Sequence, residues 1–494
     1  MRKKHFILIL SLLLLLVLFI SCGDQTDSNN TQVADVTSGD VSDISEKETT
    51  TNYLDTIPVL DFGGETFTIF CRSDKIYEVY AESEDGEIIN DTIFARNRAV
   101  EERYNITINY LDSVGGWGDQ GAFFNKVTNS VMAGENAFDM TATYMAYTAY
   151  VETSGIFTNL YNVPYLELTN DWWIQDFINT NTYAGKLYMT TGDISLSMLE
   201  NLYAVFFNKQ LHSDYKLDNM YEIVKSGKWT FDMLNQMSAA VVEDINGDGI
   251  YDVNDRLGFV TNNHGMRAMP VAMGVEIASL NSDGTLELVY YNERSVDIFD
   301  KLYNMLFNNN YAYIHVAADH MGNDILLPMF KENRILFLTN MLNITDTLRD
   351  MDTDFGILPF PKYNEQGDYR SISYDGMSVF GIPSSVKNLE MSGIVMETLC
   401  YLSSQELVSV FYDIKLKDKI SRDDDSAEML DIIRDGLYFD FGYVHTMGLS
   451  YIFSTFGDLL SDGKDTFSSA YETKANTITQ NIETIIKGFE ECET

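Results

Sequence analysis

Apolar and polar residues alternate along Glu65-Thr66-Phe67-Thr68-Ile69-Phe70-Cys71, the two-residue period of a strand. The period then lengthens. Ile89, Ile93, Val100 and Tyr104 share one helical stripe, with Asn90 and Asp91 placed to cap its start. A second strand pattern runs from Ile106 to Leu111, and Phe138 to Thr143 gives a third after another helical stretch. Strand, helix, strand, helix, strand predicts a parallel sheet with right-handed crossovers. Such sheets bind ligands at the carboxyl ends of their strands.

Downstream, residues 185 to 193 read as a strand, followed by an irregular link and a strand over Asn201 to Lys209, so a second domain begins between them. Gly227-Lys228-Trp229-Thr230 reads as a turn, with Thr230 as the N-cap of a helix to about Val242 and Trp229 packing at its start. Strands are predicted at residues 335 to 339 and 356 to 359. Near the carboxyl end Tyr471, Ala475, Ile478, Ile482, Ile485 and Phe489 alternate spacings of four and three, an amphipathic helix with one buried face.

At the amino end Met1-Arg2-Lys3-Lys4 precedes an apolar block from Phe6 to Ile20 and then Ser21-Cys22. A basic start, a short apolar core and a small residue before the cut form a secretory signal. The cysteine at the cut resembles the bacterial lipobox, with Phe19 where that pattern usually has Leu. The resemblance makes residues 1–21 a signal peptide and Cys22 the lipidated first residue. A single spanning anchor is the alternative, from a block just short of the ~20 residues a bilayer needs. Either way the body lies outside the cytoplasm. Residues 22–59 are read as a flexible tether, because the Ser-, Thr- and Asp-rich stretch after Cys22 cannot bury enough surface to offset its ordering entropy.

Charge narrows the partners. The chain of 494 residues carries 33 Lys and Arg against 74 Asp and Glu, a net −41. Removing residues 1–21 leaves 30 cations against 74 acids, or −44. That excludes nucleic acid and disfavours an anionic lipid surface, so membrane attachment falls to the lipid on Cys22. Cys71, Cys400 and Cys492 have no paired spacing and read as buried thiols or at most one bridge.

Residues 244–255 follow the EF-hand ligand register. Asp244, Asn246, Asp248 and Asp252 fall at positions one, three, five and nine, Gly249 at the sharp turn, the Ile250 carbonyl at seven and Asp255 at twelve. Ca2+ bound there would be a structural clip. Asp255 is shorter than the usual Glu, and the alternative is an acidic turn held by Asx hydrogen bonds.

The segments Gly185-Lys186-Leu187-Tyr188 with Gly192-Asp193, Phe206-Phe207-Asn208-Lys209, Gly227-Lys228-Trp229-Thr230, residues 355 to 363 and Gly381-Ile382-Pro383, in that order, resemble the extracellular solute-binding proteins of ABC importers, in the carbohydrate group. The resemblance implies an α/β, two-lobed periplasmic-binding-protein-like fold of type II, maltose-binding-protein-like, with several interlobe crossovers. It maps residues 60–195 and 379–438 to lobe one, and 196–377 and 443–494 to lobe two. It further implies a monomer that closes on a small solute, a sugar or oligosaccharide, and then meets permease subunits. Strand ends and crossings nominate Trp117, Tyr144, Asp193, Asn340, Tyr374 and Asp375 as ligand residues. Against each stands a packed aromatic, a solvated loop or a helix cap. Trp172 and Trp173 suit either sugar stacking or the stapling of a loop, and Trp173 joins the candidates.

Two rival classes share such a cleft. A secreted glycosidase needs only two carboxylates at a suitable separation, but the chain carries no Gly-x-Ser-x-Gly, no His-Glu-x-x-His and no phosphate-binding loop, so the reading is not an enzyme. A surface sensor or adhesin would use the same receptor without transport.

Overall fold

The computed structural model describes residues 52–281, 284–317, 320–412 and 424–492. The signal segment, Cys22 and most of the expected tether lie outside the described residues. Two mixed sheets organise the rest, beside a small antiparallel ribbon of β6 (Ala278–Leu280) and β7 (Leu286–Leu288). In the first, β1 (Glu65–Arg72) lies between β2 (Ile106–Ser113) and β3 (Met140–Tyr144), parallel to both, and β11 (Ser378–Gly381) is antiparallel to β3. The three early strands thus form the parallel sheet that their order predicted.

The second sheet has the order β10 (Phe355–Leu358), β4 (Tyr203–Asn208), β9 (Ile335–Met341), β5 (Leu257–Asn262), β8 (Ala312–His315). β5 is parallel to β8 and β9, while β4 is antiparallel to β9 and β10. Every residue of β4, β5, β9 and β10 is buried, the habit of strands covered on both faces. Each sheet carries its own apolar core, around Phe67, Val100, Met140 and Ile394 in one lobe and Phe206, Phe259, Phe337 and Trp229 in the other. Trp229 is a packing residue whose indole donates to the Pro359 carbonyl at 2.8 Å.

Local chemistry sets most boundaries. The helix Ile88–Tyr104 starts earlier than Asn90 and Asp91 suggested, because the Glu87 carboxylate accepts the Asn90 N–H at 2.9 Å. It ends where Asn105 turns left-handed at φ 48°. Thr230 caps the helix Phe231–Ala239 as expected, accepting from the Met233 N–H. The expected strand over residues 185–193 forms only isolated bridges, Tyr183 with Lys186, Thr190 with Phe380 and Gly192 with Trp173. Its hydrogen bonds go singly to three partners, so no ladder builds.

Three passages join the lobes. Thr190 bridges β11 of the first sheet, and the short helix Leu196–Glu200 then leads into β4 of the second. Residues 371–378 run back into β11. Near the third, Tyr438 N–H donates to the Ser371 carbonyl at 2.9 Å and Phe439 N–H to Asp176. The helix Asp424–Asp435, mapped by sequence to lobe one, packs on β10 of the second sheet. The last helix, Phe467–Glu491, starts among Tyr290, Phe299 and Phe456 of lobe two and ends with Phe489 stacked on Tyr188 of lobe one. There Lys186 Nζ donates to the carbonyls of Phe489, Glu490 and Cys492, a cation on the negative end of the helix.

Residues 53–57 belong to the body rather than to a tether. Tyr53 packs against Trp172 and Tyr401, and Arg103 holds the Leu54 and Ile57 carbonyls. Tyr53 also reaches a buried hub. Glu397 Oε1 accepts from Tyr53 Oη at 3.0 Å, Asn170 Nδ2 at 2.9 Å and Trp172 Nε1 at 3.1 Å, and Oε2 accepts from Trp173 Nε1 at 2.8 Å and Glu167 N–H at 3.2 Å. Burial raises the pKa of this carboxyl, and the ring of donors opposes that rise. Replacing Glu397 by Ala strands those donors in the core. The expected cost is about 3–5 kcal/mol in urea unfolding, and a loss below about 1 kcal/mol would mean the hub is not structural.

Candidate functional site

A cavity of about 520 Å3 opens between the lobes. It collects the segments that leave strand ends. Trp117 comes from the glycine-containing loop after β2, His264 and Arg267 from the helix Asn263–Ala272 that follows β5, and His320 from beyond β8. Tyr374 and Asp375 come from the second passage between the lobes, Tyr451 and Ser454 from the turn that precedes the helix Thr455–Ser461, and Asp458 from that helix. Trp117 is 62% exposed and meets Tyr451 across the opening, ring centroids 6.0 Å apart. A smaller hollow runs deeper from the same residues to Tyr203 and Tyr443.

The floor is a braced polar cluster. Tyr144, the last residue of β3, donates through its hydroxyl to Asp375 Oδ1 at 3.1 Å and lies 3.3 Å from Tyr374 Oη. The Arg72 guanidinium stands over the Tyr144 ring at 4.9 Å, donates to the Gly376 carbonyl at 2.6 Å and pairs with Asp74. On the other wall His264 lies edge-on to Tyr374, its Nδ1 3.2 Å from Tyr203 Oη. Arg267 pairs with Asp458 at 2.9 Å, whose other oxygen accepts from Ser454 Oγ.

Burial governs the ionisation here. It pushes Asp375 up to about 6, against the hydrogen bond from Tyr144 and the pull of Arg267 and Arg72. Tyr374 is pushed up to about 12 by burial and then by Asp375, and Tyr144 rises further for the same reasons. Two cavity residues hold left-handed backbone, His320 at φ 61° and Tyr451 at φ 55°, with Ser450 beside it at 54°. Such conformations cost about 1–2 kcal/mol each in residues other than glycine. The strain aims an imidazole and a phenol at the opening.

Of the seven nominated ligand residues the structure brings together Trp117, Tyr144, Tyr374 and Asp375, with Tyr144 bracing rather than lining. The other three lie elsewhere. Trp173 is fully buried with its indole on Glu397, so it staples the loop. Asp193 is buried and pairs with Arg434 at 3.2 Å. Asn340 is buried within β9, its amide donating to Asn323 Oδ1 at 2.8 Å. Sequence reading missed His264, Arg267 and His320 because β5 and β8 were not recognised, and Tyr451 and Asp458 because they follow no strand, so strand-end logic had nothing to follow.

In the loop 244–255 the side chains of Asp244, Asn246, Asp248, Asp252 and Asp255 serve the loop's own backbone. Asp244 accepts from the Gly247 and Gly249 N–H groups and Asp248 from Ile250. Asn246 accepts from Asp248 N–H, Asp252 from Asn254, and Asp255 from Ile245 and Asp252. Among the described residues no three His, Cys, Asp or Glu side chains converge closely enough to hold a metal. These are the hydrogen bonds of Asx turns. Cys71, Cys400 and Cys492 are buried, and no disulfide forms among the described residues.

No protein-family model and no curated protein matches the chain. Solved structures do. An extracellular solute-binding protein from Staphylococcus aureus in complex with maltose superposes with a TM-score of 0.56 at 13% identity, over 85% of this chain and 98% of that one. A cyclo/maltodextrin-binding protein complexed with maltotetraose gives 0.53 at 13%, over 87% and 98%. An ABC substrate-binding protein from Listeria monocytogenes in complex with cycloalternan gives 0.51 at 14%, over 86% and 99%. At such identities the likeness establishes the fold, the two-lobed MalE-like α/β fold that the segment order implied.

The raised pKa of Asp375 has a definite sign. A carboxyl that holds its proton more tightly folded than unfolded destabilises the fold as pH rises from about 4 to about 6. Asp375→Asn removes that penalty, so its stability relative to the parent rises by about 1–3 kcal/mol between pH 4 and pH 7. Urea unfolding across that range measures it, and a difference that ignores pH would return Asp375 to an ordinary carboxylate.

Proposed function

We propose that this chain is an extracytoplasmic receptor, lipid-anchored through Cys22, that captures a carbohydrate between its lobes and hands it unchanged to the permease of an ABC importer. The observation that carries the proposal is the cavity whose walls come from both lobes. It pairs exposed aromatic faces, Trp117 and Tyr451, with the polar groups of His264, Arg267, His320, Asp375 and Asp458. Aromatic faces pack on the CH-rich sides of a sugar while charged and hydroxyl groups take its hydroxyls. The maltose, maltotetraose and cycloalternan complexes of the superposing proteins support that ligand class.

Capture follows from the geometry. A guest touching Trp117 on one wall and Tyr451 on the other makes its full set of contacts only when the lobes approach. Its binding free energy therefore favours the closed form by the difference in contacts between the two states. Tyr374 and Asp375 sit on the passage joining the lobes, where a bound hydroxyl is felt by both. Closure changes the outer surface presented to a permease. Nothing in this cycle breaks a bond in the guest.

The loop 244–255 enters the proposal as a Ca2+ clip on its ligand register alone, Asp244, Asn246, Asp248, the Ile250 carbonyl, Asp252 and Asp255. It would tie down the segment between the helix Phe231–Ala239 and β5. It takes no part in capture.

A melting-temperature screen of maltodextrins and other sugars should give a saturable rise with at least one, since a ligand of the folded state stabilises by mass action. Trp117→Ala should weaken that sugar about thirtyfold, the ~2 kcal/mol of a buried anchor. No response to any carbohydrate, or steady release of reducing ends from an oligosaccharide, ends the reading. For the loop, a chelator should lower the melting temperature of the parent and leave Asp248→Ala unmoved. Equal responses would remove calcium from the account.

A further inference from the structure

A second cavity, of about 340 Å3, shares no lining residue with the cleft. Gly274, Arg294, Lys362, Tyr363, Asp368 and Arg370 line it. In a chain with 33 basic residues against 74 acidic, three cations around one hollow are out of proportion. Lys362 lies over the Tyr369 ring at 5.0 Å and Arg370 over the Tyr438 ring at 4.1 Å, but among the described residues only Arg370 has a carboxylate partner. Arg294 is exposed, stacks over the Tyr363 ring at 4.9 Å and, among the described residues, has no carboxylate within ion-pairing distance. Lys362 is buried, and its ammonium donates to two neutral carbonyls, Glu365 at 3.1 Å and Gly367 at 3.0 Å. Arg370 pairs with Glu276 through Nη2 at 3.0 Å, while its Nη1 is buried with no hydrogen-bond partner.

The three acids nearby balance the three cations in number, but among the described residues none forms an ion pair with Arg294 or Lys362. Glu276 is taken by Arg370, Asp297 accepts the Tyr363 hydroxyl at 2.7 Å, and Asp368 stands exposed in the lining. The backbone leaves the Arg294 guanidinium room. Gly274 is left-handed at φ 100°, and a Cβ there would come within 3.2 Å of Arg294 Nη1. A desolvated cation without an anionic partner, here Lys362, is costly, and the exposed Arg294 guanidinium, held on the Tyr363 ring, presents a fork that matches the paired oxygens of a carboxylate or phosphate.

We propose that this cavity binds a small oxyanion, a carboxylate or a phosphate, in the fork of Arg294 with Lys362 and Arg370 adding to the field. Binding would tie the start of the helix Glu293–Phe307 to the turn 363–368 and the segment 272–274. The site is separate from the sugar cleft and does not depend on what the cleft holds.

Titration calorimetry of the full chain with inorganic phosphate and with citrate, at ionic strength held constant with sodium chloride, tests it. At least one of the two should bind saturably, and Arg294→Gln should weaken it about tenfold or more. Arg294 is exposed, so the variant should fold, and an unchanged near-ultraviolet circular dichroism spectrum with an unchanged melting temperature in the absence of either anion verifies that. Citrate alone or phosphate alone would name the oxyanion. No saturable binding of either, or equal affinity in Arg294→Gln, overturns the proposal.

Discussion

Residues 371–378 are held by both sheets at once, and the geometry between the lobes depends on that constraint. On one side Ser373 bridges Leu202, and Tyr203 N–H, at the start of β4, donates to the Ile372 carbonyl at 3.0 Å. On the other Ser378 N–H donates to Ser197 Oγ at 2.9 Å as β11 pairs with β3. Between these anchors Arg72 clamps the Gly376 carbonyl, and a Cβ at Gly376 would lie 2.5 Å from the Tyr374 ring, so the turn tolerates no side chain. Tyr374 and Asp375 are the only stretch of this passage left facing the cavity. They therefore stand on one of the three passages that tie the lobes together.

The electrostatic design follows from crowding acids into an acidic protein. Asp375 is one of several carboxyls that burial pushes upward. Asp193 and Asp440 reach about 6 and Glu78 about 7. Each is met by local donors: Arg434 for Asp193, the Ile277 and Tyr443 N–H groups for Asp440, the Ser197 N–H and Ser378 hydroxyl for Glu78. Three of the four stand on or beside the passages between lobes. Polar joints of this kind fix direction better than apolar contacts, because each lone pair demands a donor at a set angle.

Much of the fold was legible because the first three strands alternate or lie beside clear helical stripes, and because the segment order carried the two-lobed architecture. The second sheet was legible only in part. Leu257-Gly258-Phe259-Val260-Thr261-Asn262 is buried on both faces, which erases the alternation that marks a half-exposed strand. Without β5, nothing marked His264 or Arg267. Trp173 and Asp193 misled for another reason. An indole and a carboxylate look alike in sequence whether they face a ligand or a partner more than 200 residues away, and only the fold brings Glu397 to one and Arg434 to the other. Residues 185–193 looked like a strand, yet served three different neighbours.

The last helix has one end rooted in each half of the molecule. A helix resists stretching, because lengthening breaks its own i to i−4 hydrogen bonds, but it twists and bends with little penalty. Phe467 at one end and Phe489 with the Lys186 clasp at the other therefore make it an inextensible leash. The halves are free to swivel about its ends. They cannot drift apart, so the gape of the mouth has an upper limit written into the length of a single rod.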